Sequence, residues 1–215
     1  MTDYALMNQM LYEGKAPLIK EMTEQALAEG LPVEEVLQEG LIAGMGVVGE
    51  DFKHNRLYVP QVLVAARAMK AGMAILKPLL IEGGAGDSAG TIVMGTVKGD
   101  LHDIGKNLVG MMAEGAGYTV HDLGVDVKVE TFINKVKETG AGVVGMSALL
   151  TTTMPYMKTV IDAFRSDDGM QHIKICIGGA PVSEMFADEI GADGYAADAA
   201  SAVELFGTLY PATAS

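Results

Sequence analysis

A chain of 215 residues, 49% of them hydrophobic, carries enough apolar mass for one large domain or two small ones with real cores. Its formal net charge of -13 argues against nucleic acid and anionic membrane as partners, because both reward Lys and Arg. The lone cysteine, Cys176, excludes an internal disulfide. No leader-like segment opens the chain, and no apolar run reads as long enough to span a bilayer, so a cytoplasmic protein is expected.

Before Gly83 the apolar positions keep a helical beat. Two short helices are expected before Gly14 and between Lys15 and Gly30. Val33, Leu37, Leu41, Met45, Val48 and Phe52 mark a third, with Pro32 at its start and Glu34 and Glu35 at the positive end of its dipole. A fourth begins near Pro60, where Val59, Val62, Ala66, Met69, Met73, Leu76 and Leu80 form a continuous seam. Such a set predicts an antiparallel four-helix bundle, its methionines filling the core. The run Gly83-Gly84-Ala85-Gly86-Asp87-Ser88 loses the beat and reads as a linker. The chain thus divides into a helical domain over 1–87 and a second domain over 88–215.

From Thr91 the pattern becomes strand then helix. Strands are expected over 92–97, 118–122, 142–146, 173–177 and 193–196, with helices near 104–116, 128–139, 153–165, 181–190 and 199–209. Five such units predict an α/β domain with a doubly wound parallel sheet, flavodoxin-like or Rossmann-like in outline. That outline serves many ligands, so the loops at the strand ends must name the chemistry.

The first of these loops runs from Gly95 through Gly99, Asp100, Leu101, His102, Asp103, Gly105 and Lys106 to Asn107. It has one residue too many between Gly99 and Gly105 for a P-loop, and lacks the Ser or Thr after Lys106. A histidine here, with an aspartate two residues earlier, can offer one ring nitrogen to a metal while Asp100 orients the ring. The competing reading makes Asp103 a helix N-cap and His102 a solvated loop residue. A second loop, Ser147 to Thr153, is hydroxylated and uncharged, and a third carries Gly178-Gly179-Ala180, where a ligand could lie against the backbone.

Together these loops give Asp100-x-His102-x-x-Gly105, Ser147-x-Leu149 and Gly178-Gly179, a combination that resembles the signature of the cobalamin-binding proteins. The first part adds to it, since Val47-Val48-Gly49-Glu50-Asp51-Phe52 through Val59-Pro60-Gln61-Val62 resembles the helical cap module of methionine synthase and of the small corrinoid proteins that serve methylamine, methanol and aryl-ether methyltransferases. The likeness covers nearly the whole chain, whose length is that of a cap plus one cobalamin domain.

The resemblance implies a corrinoid methyl carrier rather than a complete enzyme. It would bind cobalamin or a related corrinoid, with methylcobalamin as the loaded form. A substrate:corrinoid methyltransferase would load it, and a methylcorrinoid:acceptor methyltransferase using a thiol or tetrahydrofolate would unload it. A reductive-activation protein is a further expected partner. His102 would be the lower axial ligand of cobalt in place of the cofactor's own base, Asp100 would accept its other ring N–H, and Thr153 would extend that relay. Gly99, Leu101, Asp103 and Gly105 belong to the same cofactor loop. Ser147, Leu149 and Thr151 would line the pocket for the nucleotide tail, with Gly178, Gly179 and Ala199 along its wall. Phe52 and Val59 would cover the upper face. Three other readings stay open at this stage: a cobalamin-dependent sensor module, a subunit of an adenosylcobalamin mutase, and a flavodoxin-like domain without a corrin.

Overall fold

In a computed structural model that describes residues 2–82 and 89–210, the helical beat becomes α1 (Tyr4–Tyr12), α2 (Ala16–Ala28), α3 (Val33–Glu35), a π-helical segment (Val36–Ile42), α4 (Ala43–Lys53) and α5 (Val59–Glu82). The linker expected at 83–88 lies outside the described residues. Asp3 caps α1 by accepting the Leu6 N–H at 3.0 Å, and Pro17 stands in the first turn of α2, where its missing N–H costs nothing.

The helix expected to run evenly from Val33 to Phe52 changes pitch instead, because α3, the π segment and α4 follow one another without a gap. Val36, Gly40, Gly44 and Val48 form its buried face. Residues four apart drift by about 40° per step on a 3.6-residue helix. The wider π turns absorb part of that drift and keep the face on the core.

Helix α5 packs against α1, α2 and α4 and buries Val62, Ala65, Met69 and Leu76. Its segment Val59–Leu80 is long and apolar enough on average to cross a bilayer, but Arg67, Lys70 and Lys77 interrupt it, so it is not the uninterrupted apolar run that the sequence was expected to lack. The apolar side supplies the core of the bundle, while Arg67, Lys70 and Lys77 stand exposed on the other.

The chain divides into two compact units, of which α1 to α5 make up the first. The second alternates β1 (Thr91–Thr96), α6 (Ile104–Gly115), β2 (Thr119–Asp122), α7 (Val129–Thr139), β3 (Val143–Ser147), α8 (Pro155–Ser166), β4 (Lys174–Gly178), α9 (Glu184–Ile190), β5 (Gly194–Ala196) and α10 (Ala199–Leu209). The strands pair in parallel in the order β2-β1-β3-β4-β5, the doubly wound arrangement. Their apolar runs are nearly continuous because both faces are covered. On one face Val93, Val144, Ile175 and Ile177 meet Phe132, Met157, Ile161 and Phe164 of α7 and α8. On the other, Ile92, Met94, Val143 and Cys176 meet Ala113 of α6 and Phe206 of α10.

All five expected strands form, with ends shifted by a residue or so. Val97, expected to close β1, leaves the ladder and forms an isolated bridge with Val127. Helix α9 starts later than expected, at Glu184, because Ser183 caps it by accepting the Phe186 N–H at 3.3 Å and the preceding Ala180-Pro181 pair stays in a turn.

Candidate functional site

Thr96 ends β1, Ser147 ends β3, and the two are register partners. Between these strands the winding of the sheet reverses, and ligands of open α/β sheets bind in the crevice at that point. The loop after β1 carries Asp100 and His102, and the loop after β3 carries Leu149, Leu150 and Thr153.

The two loops meet on one carboxylate. Asp100 is fully buried. Its Oδ2 accepts the Leu149 N–H at 2.8 Å, the Leu150 N–H at 3.1 Å and the Thr153 hydroxyl at 2.7 Å. Its Oδ1 accepts the backbone N–H of His102 at 3.1 Å and lies 2.7 Å from Nδ1 of the His102 ring. Burial by itself raises a carboxyl pKa, but the hydrogen bonds from Thr153, His102 and the Leu149 and His102 amides outweigh it, and Asp100 is held well below the ordinary carboxylate range.

That ionisation fixes the histidine. An ionised carboxylate has no proton to give, so Nδ1–H is the donor of the 2.7 Å bond. In the neutral imidazole Nε2 is then left with its lone pair, a ready Lewis base. The His102 side chain is 50% exposed, and around it in the sequence of these loops stand Leu101, Ile104, Leu149 and Leu150, all exposed apolar residues. Large apolar side chains left open beside a nitrogen donor mark a binding surface rather than a solvated loop. Asp103 stands at the start of α6: its carbonyl accepts the Asn107 N–H at 2.8 Å, and its Oδ2 accepts the side-chain amide of Asn107 at 3.0 Å. Lys106 is likewise turned to a protein partner, Asp122, at 2.5 Å.

The remaining expected residues fall along the same end of the sheet. Ser147 Oγ is 2.8 Å from Thr96 Oγ1, Gly178 is the register partner of Ser147, and Thr151 is exposed on the loop that follows β3. Ala199 opens α10, buried behind the Asp198 cap. Gly99 has φ +85° and donates its N–H to Asp126 Oδ1 at 2.7 Å. Gly179 has φ +130°, and a Cβ there would stand 1.9 Å from the Ala148 carbonyl oxygen, so the chain's own close approach demands that glycine, not the approach of a ligand alone. Phe52, near the end of α4, and Val59, the first residue of α5, belong to the first unit and are partly buried. Sequence reasoning missed Thr96, Leu150 and Asp126. Only Thr96 had a signal, a hydroxyl at the end of an apolar strand beside the histidine loop.

Among the described residues no group of three or more His, Cys, Asp or Glu could hold a metal ion. A single imidazole supplies one ligand, so the metal that suits this site brings its other ligands with it, as a metal in a macrocycle does.

Two domain models decide the matter: one described as a B12 binding domain matches residues 90–204, and a second, of the same description, matches residues 6–77. The chain belongs to the B12-binding family. It is 44% identical over 201 residues to corrinoid protein DSY3155 of Desulfitobacterium hafniense, covering 93% of each chain. Against the dimethylamine corrinoid protein of Methanosarcina barkeri it is 45% identical over 189 residues and 88% of each chain. Among solved structures, a cobalamin-binding protein from Desulfitobacterium hafniense superposes with TM-score 0.79 at 31% identity, covering 98% of this chain and 100% of that one. A chain of the methanol:cobalamin methyltransferase complex of Methanosarcina barkeri superposes with TM-score 0.84 at 30% identity, covering 95% and 78%.

The cofactor of this B12-binding chain is thus cobalamin or a related corrinoid, and its metal is cobalt. The residues present fit it. Imidazole is a good ligand for cobalt, a carboxylate behind it raises its basicity, and the exposed leucines and isoleucine suit the flat apolar rim of a corrin. Gly105 gives a second sign of fit. It lies in the first turn of α6, and a Cβ there would meet no atom of the chain within 4 Å. Gly105→Ala should therefore change the stability of the apoprotein by less than about 0.5 kcal/mol. If the corrin edge fills that open space, the same change should weaken corrinoid affinity by about tenfold, or ~1.4 kcal/mol, in a titration with hydroxocobalamin.

Proposed function

We propose that this chain is a methyl carrier: it takes a methyl group on its corrinoid from a substrate:corrinoid methyltransferase and gives it to a methylcorrinoid:acceptor methyltransferase. The observation that carries the reading is the His102 ring, engaged at Nδ1 by a buried, ionised Asp100 and open at Nε2. The bound corrinoid supplies the cobalt that accepts and releases a methyl group.

The chain's own residues do the rest. His102 would hold the cobalt through Nε2, while Asp100 holds the Nδ1 proton and keeps the lone pair on Nε2. Thr153 and the Leu149 and Leu150 amides hold Asp100 charged. Ser147, Leu149 and Thr151 would line the pocket for the nucleotide tail, with Gly178, Gly179 and Ala199 along its wall. The relatives support the carrier reading, since they include dimethylamine corrinoid proteins and a chain of a methanol:cobalamin methyltransferase complex. A reductive-activation protein is the remaining partner in the proposal. A reducing cytoplasm suits Cys176, whose thiol is pushed up to about 12 by burial and is thereby inert.

The test uses the protein loaded with hydroxocobalamin, reduced with titanium(III) citrate and treated with isotopically labelled methyl iodide. The labelled methyl should appear on the protein-bound corrinoid and then pass to a thiol when a methylcorrinoid:thiol methyltransferase is added. A loaded protein that binds methylcobalamin but neither takes up the label nor yields it to the thiol would overturn the carrier role.

A further inference from the structure

The position of the His102 ring depends on the backbone that carries it, and each end of that residue is held by a different side chain. Asp100 takes the amide end, accepting the His102 N–H, and also the ring. The carbonyl end is held by Thr96, whose Oγ1 donates to the His102 C=O at 2.8 Å. Thr96 is fully buried at the last position of β1. Its own backbone is fixed on both sides: the N–H donates to the Gly124 C=O at 3.0 Å, and the C=O accepts the Val127 N–H at 3.0 Å.

The hydroxyl protons can be ordered from these contacts. Thr96 has one proton and spends it on the His102 carbonyl, so in the 2.8 Å contact between Thr96 Oγ1 and Ser147 Oγ the serine must donate. A directed chain results, Ser147 O–H to Thr96 O–H to the carbonyl of His102, running from the end of β3 to the histidine. Among the described residues no other side chain bonds to that carbonyl.

We propose that Thr96 is a positioning residue for the His102 imidazole, fixing through the His102 carbonyl the angle at which Nε2 is presented to cobalt. The proposal rests on the reading of His102 as the lower axial ligand. Without the hydroxyl the carbonyl can rotate away, and the ring keeps only its tether to Asp100. Ligation then weakens although no atom of the ligand or of its carboxylate partner has changed.

Thr96→Val keeps the shape and the β preference of the strand while removing the donor, and Thr96→Ser keeps the donor. Each variant, made with ring-nitrogen-15-labelled histidine and with His102→Ala as reference, is loaded with hydroxocobalamin, reduced by one electron and read by electron paramagnetic resonance for the nitrogen-15 splitting of an axial histidine, which the cofactor's own unlabelled base does not give, against the melting of the apoprotein. Thr96→Val should bind corrinoid with its ratio of histidine-ligated to unligated protein reduced about three- to tenfold, the effect of one lost hydrogen bond. Thr96→Ser should restore it. Should the valine variant fail to fold, Thr96→Ala is read in its place with the same expectation. A wild-type ratio in the folded valine or alanine variant, with the signature lost in His102→Ala, overturns the role of Thr96 alone. An unchanged signature in His102→Ala overturns the axial reading, and the proposal with it.

Discussion

Asp100→Ala is expected to lower the stability of the apoprotein by about 3 kcal/mol, because it strands several buried donors at once. The Leu149 and Leu150 amides, the Thr153 hydroxyl, and the amide and ring of His102 all lose their acceptor. For a unit of this size the melting temperature should fall by about 10 °C. The histidine loses its orientation in the same step, so the variant should also lose histidine ligation of bound corrinoid. Asp100→Asn, which keeps the volume and one acceptor, should fall between the variant and the wild type.

The pH dependence of that loss follows from the depressed pKa of Asp100. A carboxylate whose native pKa lies below its unfolded value contributes stability above the unfolded value and loses it as pH falls through the native one. The gap between wild type and Asp100→Asn should thus stay constant from about pH 8 to pH 5 and shrink only below about pH 4, the ordinary range of an unfolded aspartate. Melting curves across that range check it, and a gap that closes near neutral pH would contradict the ionised state of Asp100.

Gly179→Ala should be at least as damaging, for a reason unrelated to charge. The new Cβ would stand 1.9 Å from the Ala148 carbonyl oxygen and 2.9 Å from its carbon, and the backbone has φ +130°, a region L side chains rarely adopt. Ala148 is itself buried and donates its N–H to the Gly178 carbonyl at 3.2 Å, so it cannot simply step aside. The loops after β3 and β4 must separate, at a cost of about 3 kcal/mol or more. Gly178→Ala is the natural comparison: its Cβ would lie 3.0 Å from the Ala196 carbonyl oxygen, which asks for a few tenths of an ångström. That variant should lose about 1 kcal/mol. Urea denaturation of the pair should show this order, and equal losses would contradict it.

How much of this was legible in the sequence varies with how local the cause is. The strands were readable because parallel strands covered on both faces are continuous apolar runs, as in Val143 to Met146 and Ile175 to Ile177. The Asp100–His102 pair was readable because its partners lie two residues apart. The π-helical segment was not, since the four-residue spacing of Val33, Leu37 and Leu41 fits an α-helix almost as well. The Leu149 and Leu150 amides on Asp100 were out of reach because backbone donors carry no residue-type signal and lie some fifty positions away. Thr96 and Asp126 act through backbone groups of Gly99 and His102, contacts that exist only once the loops are placed. The glycine at 179 was noticed, but its cause, the Ala148 carbonyl, sits on another strand's loop.

The central claim is that Nε2 of His102 ligates cobalt from below. Its most direct measurement is the electron paramagnetic resonance spectrum of the corrinoid-loaded, one-electron-reduced protein made with histidine labelled in the ring with nitrogen-15. Ligation by His102 predicts that the nitrogen splitting changes from the pattern of the common isotope to that of the heavy one, and that His102→Ala abolishes this change. A splitting that ignores the label would mean that the corrinoid's own base still holds the lower position, and that His102 is not the ligand.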